Sequence, residues 1–131
     1  MSKLIRQSVT FKAAPHDVYE ALMDSRKHAR FTKEKASISR KVGGRIMAYD
    51  GYITGTNLEL IPDEKIVQAW HAREWPEGHI SRATFSLRPV MGGTRLSFSH
   101  SNVPDKYYGD IKQGWIDAYW EPLKSMLEKN K

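Results

Sequence analysis

Hydrophobic and polar residues alternate along six stretches in the middle of the chain, between residues 36 and 101. Alternation with a period of two is typical of a strand that buries one face. Short turn signals such as Asp50-Gly51 and Met91-Gly92-Gly93 separate the stretches, so neighbouring strands are expected to pair as hairpins in an antiparallel meander. The six predicted strands are Ala36–Lys41, Arg45–Tyr49, Tyr52–Ile61, Lys65–Trp75, Ile80–Pro89 and Thr94–His100.

The segment before the meander predicts one more strand and two short helices. Residues 4–12 alternate and indicate a half-buried strand. Pro15 suits the first turn of a helix, and the residues after it carry an apolar stripe with spacings of three and four. Asp24 and Ser25 can end this helix and cap a second one that runs to about Phe31.

The last part of the chain changes to a helical period. The segment Asn102–Asp105 is expected to begin a long helix. Pro122 lies inside this helix and has no N–H to donate to the carbonyl of Ala118, so a kink is predicted there. The apolar stripe of the helix comprises Tyr108, Ile111, Trp115, Tyr119, Leu123 and Met126.

A long helix with such a stripe must bury it, and the sheet is the large surface available. The predicted fold class is therefore α+β, with a seven-stranded curved antiparallel sheet wrapped around a long C-terminal helix. Two short helices follow the first strand. With 131 residues, the chain is expected to form a single domain over residues 1–131, large enough to bury its own core.

The inner face of this sheet is the candidate ligand site. A curved sheet that packs on a helix can leave an apolar pocket, although the same aromatic side chains can also fill that space. His100 is the polar point at the end of the inner face, where the usual role is that of a hydrogen-bonded core histidine. The hypothesis is that a hydrophobic ligand enters near His100. The candidate ligand-binding residues are Trp70, Phe85, Leu87, Leu96, Phe98, His100, Trp115 and Tyr119.

The net charge of +6 is concentrated between residues 26 and 45, where eight Lys and Arg residues are opposed only by Glu34. Such a face can attract an acidic partner or can simply be a solvated surface. Nucleic acid is a less favoured partner because Phe31 is the one base-stacking aromatic residue among these positions. The candidate partner-binding residues are Arg26, Lys27, Arg30, Lys33 and Lys35.

The sequence favours binding over catalysis, and it assigns no catalytic residue, no metal site and no cofactor. It lacks the usual nucleophile-elbow and phosphate-loop motifs, and among its histidines only His71 and His79 are expected to approach each other. There is no apolar run of membrane-spanning length and no signal peptide. The lack of cysteine fits a cytoplasmic protein, expected to be a monomer or a weak dimer.

The residues Trp75-Pro76-Glu77-Gly78-His79 are interpreted as a hairpin turn. Pro76 suits the second position of the turn, and Gly78 suits a left-handed position after it. Glu77 is then expected at the exposed tip.

Two sets of motifs carry a resemblance to known families. The segment AAPHDVYEALMD resembles the opening of the START-like, or helix-grip, superfamily. The segments GGRIMAYDGYITGTNLELIPDEKIVQAWHAREWPEGHISRATFSL and VPDKYYGDIKQGWIDAYWEPLKSML resemble the C-terminal domain of the activator of the ATPase of heat shock protein 90. Pro122 departs from this pattern, since a small residue is expected there. Full-length activators have an additional N-terminal domain for the main chaperone contact, for which this chain has no room.

The resemblance implies a helix-grip fold and a non-enzymatic, co-chaperone-like role in the stress response, through binding of a chaperone or a small ligand. The alternative is a hydrophobic small-molecule binder, or a cyclase-like enzyme that uses the cavity between sheet and helix with His100 as its polar group.

Overall fold

The computed structural model describes residues 2–128 and contains one seven-stranded sheet. Its strands are β1 Ser2–Phe11, β2 Ser37–Ile38, β3 Arg45–Ala48, β4 Ile53–Ile61, β5 Lys65–Ala72, β6 Ser81–Val90 and β7 Gly93–Pro104. All neighbouring pairs are antiparallel, in the order β1-β7-β6-β5-β4-β3-β2. The predicted antiparallel sheet is confirmed. No helix among residues 2–128 is long and apolar enough to cross a membrane.

Two short helices follow β1, as predicted: α1, Pro15–Met23, and α2, Ser25–Thr32. The side chain of Asp24 accepts a hydrogen bond from the backbone N–H of Lys27 and thereby caps α2. Backbone hydrogen bonds to this N-cap carboxylate keep the pKa of Asp24 below its ordinary value.

The second strand is much shorter than the predicted Ala36–Lys41. The side-chain amide of the buried Asn57 donates to the carbonyls of Ser39 and Lys41, at 2.7 and 3.0 Å. The carbonyls of this segment therefore bond to a side chain, although the backbone N–H of Ser39 still donates to the carbonyl of Arg45 at 3.0 Å, and the regular strand β2 ends at Ile38.

The connection between β5 and β6 also differs from the prediction. The strands end at Ala72 and restart at Ser81, so the loop spans residues 73–80 and exceeds the three residues expected. The backbone N–H of His79 donates to the carbonyl of Pro76, which places Pro76 first in the turn, and Gly78 has the left-handed φ of +80°. Glu77 is exposed at the tip, as predicted.

The long helix begins later than predicted, because β7 continues to Pro104 along β1. Lys3 pairs with Val103 and Ile5 pairs with His100, so β7 contains one extra residue, a bulge at which Asn102 has a φ of +60°. Val103 is fully buried by this extension. A single 3₁₀ turn, Asp105–Tyr107, then leads into the helix.

The C-terminal helix has three consecutive parts: α3, Tyr108–Gly114, a π-helical segment, Trp115–Trp120, and α4, Glu121–Glu128. The wider π turn directs Trp120 inward together with Trp115 and Tyr119, which the regular stripe did not predict. Pro122 is the second residue of α4, so the break in helical regularity lies just before the turn that contains the proline.

A tyrosine from the turn between β3 and β4 supplies the donor that Pro122 lacks. The hydroxyl of Tyr49 donates to the carbonyl of Ala118 at 3.0 Å. Tyr49 has a φ of +51°, a strained value for a side chain of this size, and it precedes Asp50 and Gly51, which also have positive φ in the turn between β3 and β4. The contact with the helix thus stabilises an unusual backbone conformation.

This hydrogen bond can be tested with a double-mutant cycle. Tyr49→Phe should lower the free energy of unfolding by about 1 kcal/mol, because one hydrogen bond between the turn and the helix is lost. In a Pro122→Ala background the loss should be smaller, since an amide N–H at position 122 can then serve the carbonyl of Ala118. Urea unfolding of the four proteins measures both values.

The matched control is Tyr108→Phe, because the hydroxyl of Tyr108 has no hydrogen-bond partner among residues 2–128 and its loss should cost little. Equal losses from Tyr49→Phe in both backgrounds would show that Tyr49 does not substitute for the missing amide.

Candidate functional site

A cleft of about 540 Å³ lies between the concave face of the sheet and the first half of the C-terminal helix. The sheet contributes side chains from β4, β5 and β7, and the helix contributes one face of α3 and of the π-helical segment. Seven of the sixteen residues that line it are aromatic: Tyr49, Tyr52, Trp70, Trp75, Tyr107, Trp115 and Tyr119.

The structure separates the eight candidate ligand residues into two groups. Four of them, Trp70, His100, Trp115 and Tyr119, line the cleft. The others, Phe85, Leu87, Leu96 and Phe98, do not line it and lie in the filled part of the core. There, the ring centroids of Phe98 and Trp120 are 5.1 Å apart. The sequence allowed either an open pocket or a space filled by aromatic side chains. The interior contains both, because it is packed at one end and open at the other.

His100 is 1% exposed and belongs to a complete chain of hydrogen bonds. The indole N–H of Trp115 donates to Nδ1 of His100 at 3.0 Å, so Nε2 carries the proton and donates to the hydroxyl of Ser81 at 2.7 Å. That hydroxyl donates in turn to the carbonyl of Trp70 at 3.1 Å. Burial lowers the pKa of His100 to about 4. The imidazole is held neutral, in one tautomer and one orientation.

A second buried histidine lies behind the cleft wall and was not predicted from the sequence. Nε2 of His28, on α2, is hydrogen-bonded to the hydroxyl of Tyr119, and Nδ1 has no partner among the described residues. The arrangement with the fewest unpaired groups has the Tyr119 hydroxyl as the donor to Nε2, which leaves only the Nδ1–H of His28 unpaired. Burial lowers the pKa of His28 to about 4 and raises that of Tyr119 well above its ordinary value.

The mouth of the cleft carries negative charge. Three carboxylates line it, from Glu34, Glu74 and Asp110, and the lining contains no Lys or Arg. Burial, followed by the effect of Glu34, raises the pKa of Tyr49, and burial followed by Glu74 raises that of Tyr52.

Sequence reasoning missed this part of the site because these residues come from turns, loops and a new helix start. Tyr49, Tyr52 and Trp75 lie at or beyond strand ends, where alternation does not predict direction. Trp75 is nevertheless 5% exposed, and its ring centroid lies 6.3 Å from that of His100. A tryptophan in a turn-rich segment is a signal that could have indicated a buried anchor.

The candidate partner residues lie on α2 and just after it, in the region of the basic segment. Arg26, Lys27, Arg30, Lys33 and Lys35 are all exposed. None of the five forms an ion pair within 4 Å with another described residue, whereas Arg40 pairs with Glu20. Lys33 ends α2 in the left-handed conformation, with a φ of +62°, and there the chain turns toward the sheet.

The outer face of the sheet forms a second cationic surface, which was not predicted. Arg6, Arg82, Arg88 and Arg95 are exposed on this face, and Arg88 and Arg95 lie directly opposite each other on β6 and β7. Serine and threonine residues occupy most of the positions between them, as in the pair Ser86 and Ser97.

His71 and His79 come together as expected, but their rings bond to backbone. Nδ1 of His71 lies 2.9 Å from the carbonyl oxygen of His79, and Nε2 of His79 lies 2.8 Å from that of Asn102. Within residues 2–128, no group of three His, Cys, Asp or Glu side chains has the geometry to hold a metal ion.

The two buried histidines make stability dependent on pH. In the unfolded chain an imidazole takes up a proton near pH 6.5. In the native protein His28 and His100 do so only near pH 4. The unfolded state therefore binds more protons between these values, and the free energy of unfolding should fall as the pH falls from about 6.5 to about 4. Each full shift corresponds to on the order of 3 kcal/mol.

Urea unfolding at pH 7.5, 5.5 and 4.5 measures this dependence. The double variant His28→Phe/Tyr119→Phe replaces the hydrogen-bonded pair with rings of similar shape, so its stability should depend on pH about half as steeply over this range. An unchanged slope in that variant would contradict the assignment to His28.

Comparison with known proteins identifies a family and relatives to which this chain is similar. The family model described as "Activator of Hsp90 ATPase homolog 1-like protein" matches residues 12–128. The human activator of 90 kDa heat shock protein ATPase homolog 1 is 29% identical over 115 residues, which cover 88% of this chain and 34% of that protein. The chain thus spans about a third of the length of the curated relatives it matches.

Solved structures share this fold. The crystal structure of an HSP90 activator from Plasmodium falciparum has a TM-score of 0.85 at 27% identity, covering 97% of this chain and 96% of that one. The solution structure of an Aha1 dimer from Colwellia psychrerythraea has a TM-score of 0.85 at 23% identity, covering 98% of each chain, and shares the fold. The family model covers the strands and the helix that form the cleft. The resemblance seen in the sequence is therefore confirmed. The chain belongs to the family of activator of Hsp90 ATPase homolog 1-like proteins.

Proposed function

We propose that this protein binds an Hsp90-type chaperone as a non-enzymatic co-chaperone and that the basic surface on and after α2 makes the contact. The observation that carries the proposal is the set of five exposed cations without ion-pair partners among residues 2–128, in a chain of this family. Such a surface attracts an acidic protein face and steers its approach. The proposed compartment is the cytoplasm, which the lack of cysteine fits, and the proposed setting is the stress response.

The burial pattern of α2 supports a role for this surface in recognition. His28 and Phe31 face the core, while Arg26, Lys27 and Arg30 point away from it. The inner face of the helix is therefore anchored by packing, and its outer face presents charge from a fixed backbone, which limits the entropy lost on binding.

Charge reversal tests the proposal. Arg26→Glu/Lys27→Glu/Arg30→Glu should abolish measurable binding to the chaperone of the same organism, because attraction becomes repulsion across the interface. The melting temperature should change little, since substitutions at exposed positions usually shift stability by about 0.5 kcal/mol or less. Isothermal titration calorimetry at two salt concentrations measures binding, and wild-type affinity should fall as salt rises.

The matched control reverses three arginines on the outer face of the sheet, with Arg82→Glu/Arg88→Glu/Arg95→Glu. It changes the net charge equally and should retain binding. If the α2 variant still binds the chaperone, or if the outer-face variant is the one that loses binding, the α2 surface is not the contact.

The open cleft supports a second candidate function, the binding of a hydrophobic small molecule. Its volume of about 540 Å³ is within the range of small-molecule sites, and such sites are commonly lined by aromatic side chains, as this one is. Catalysis is less well supported, because both nitrogens of His100 are engaged and its pKa is lowered to about 4. An imidazole in that state is poorly matched to proton transfer near neutral pH.

Gly114 offers a way to close the cleft without disturbing the fold. It lines the cleft, and a Cβ built at this position meets no atom within 4 Å. Gly114→Leu should therefore fill the cleft and eliminate binding of the neutral fluorescent probe N-phenyl-1-naphthylamine. Stability should be maintained or slightly increased, since leucine favours a helix over glycine by up to about 1 kcal/mol.

Gly109→Leu is the matched control. Gly109 also lies in α3 with open space around its Cβ position, but it does not line the cleft. This variant should bind the probe like the wild type. Equal probe binding by Gly114→Leu, or no binding by the wild type, would rule out the cleft as a ligand site.

A further inference from the structure

We propose that the cleft takes an organic cation: an amphiphilic molecule whose apolar body lies among the aromatic rings and whose ammonium group lies at the carboxylate-lined mouth. The proposal rests on the proposed ligand-binding function of the cleft and specifies the chemical class of the ligand.

The sign of the lining charge is the first argument. The protein has a net charge of +6, yet the charged residues that line the cleft are the three acids Glu34, Glu74 and Asp110. An anionic ligand would meet these carboxylates with no lining cation to pair with, and it would pay a desolvation cost on entry. A cationic group gains attraction from all three.

The aromatic walls are the second argument, and they are independent of the first. The faces of tyrosine and tryptophan rings attract cations, and the attraction strengthens when water is excluded. Trp70 and Trp115 form the floor of the cleft, with ring centroids 5.0 Å apart, and Tyr52 and Tyr107 lie toward its mouth. The aromatic surface can contact the alkyl chain of an alkylammonium ion, and the carboxylates beside it can attract the charged ammonium group.

The protein's own cations near the mouth, Lys33, Lys35, Arg73 and Lys106, weaken this negative field but do not line the cleft. The amine of Lys106 lies 5.6 Å from the ring centroid of Tyr107, and the guanidinium of Arg73 lies near Gly51, but neither side chain lines the cleft. The raised pKa of Tyr49 and of Tyr52, to which Glu34 and Glu74 contribute after burial, indicates that negative charge is disfavoured among these rings.

Three probes with the same octyl chain test the proposal: octyltrimethylammonium, the neutral dimethyloctylphosphine oxide and octyl sulfate, each used as monomers. Tryptophan fluorescence and calorimetry measure the dissociation constants. The ammonium probe should bind at least tenfold more tightly than the phosphine oxide, and the sulfate most weakly. Because the carboxylates are exposed to solvent, the preference for the cation should decrease as salt increases.

Two charge-matched triple variants locate the preference. Glu34→Gln/Glu74→Gln/Asp110→Asn should reduce the preference for the ammonium probe to within about twofold while leaving affinity for the phosphine oxide unchanged. Asp17→Asn/Glu59→Gln/Glu64→Gln removes the same number of charges from residues outside the cleft and should retain the preference. Gly114→Leu should eliminate binding of the ammonium probe.

Equal affinity for the cationic and neutral probes would overturn the proposal while leaving the ligand-binding function intact. A preference that survives loss of the three lining carboxylates would overturn it as well. If none of the three probes binds, the ligand-binding function of the cleft fails and this proposal fails with it.

Discussion

The packing of the C-terminal helix against the concave face of the sheet is the contact on which the rest of the molecule depends. The helix brings Trp115, Tyr119 and Trp120 to one side within a single π-helical segment. A regular α-helix separates adjacent side chains by about 100° and would direct one of the last two away from the sheet. The π turn buries both, and they fill the space over β6 and β7.

The same helix explains why the interior is open at its other end. At the end of α3, Gly114 lines the cleft, and no side chain fills the space at that position. The space between the sheet and the helix is therefore filled by side chains beneath Trp120 and open beneath Gly114. Tyr49 holds the helix at the boundary through its hydrogen bond to Ala118, so the cleft wall is also part of the structural frame.

The buried polar groups follow from this geometry. His100 and Ser81 lie on the inner face of adjacent strands, where water is excluded, and each must find its partners within the protein. Trp115 supplies the donor that fixes the tautomer of His100. The cleft floor is therefore neutral and rigid near neutral pH, and the charge that a ligand would experience comes from the rim.

Features determined by neighbouring residues could be predicted from the sequence, whereas features determined by residues distant in sequence could not. Strand alternation and the helical stripe predicted the antiparallel meander and the inward direction of Trp70 and Trp115, because each pattern repeats over several residues. The truncation of β2 depends on Asn57, which is distant in sequence, and the burial of Trp120 depends on a change in helical pitch. The carboxylates of the mouth come from α3 and two loops, and periodicity does not specify where loop side chains meet.

The basic surface on and after α2 meets the carboxylate-lined mouth of the cleft at Glu34, which lines the cleft although Lys33 and Lys35 on either side belong to the basic surface. At physiological ionic strength, charges separated by less than about 8 Å still influence each other. An acidic partner on the basic surface would neutralise the lysines and deepen the negative potential at the mouth, so a cationic ligand would bind more tightly in the complex. Linkage makes this effect reciprocal, and an occupied cleft would then strengthen partner binding by the same factor.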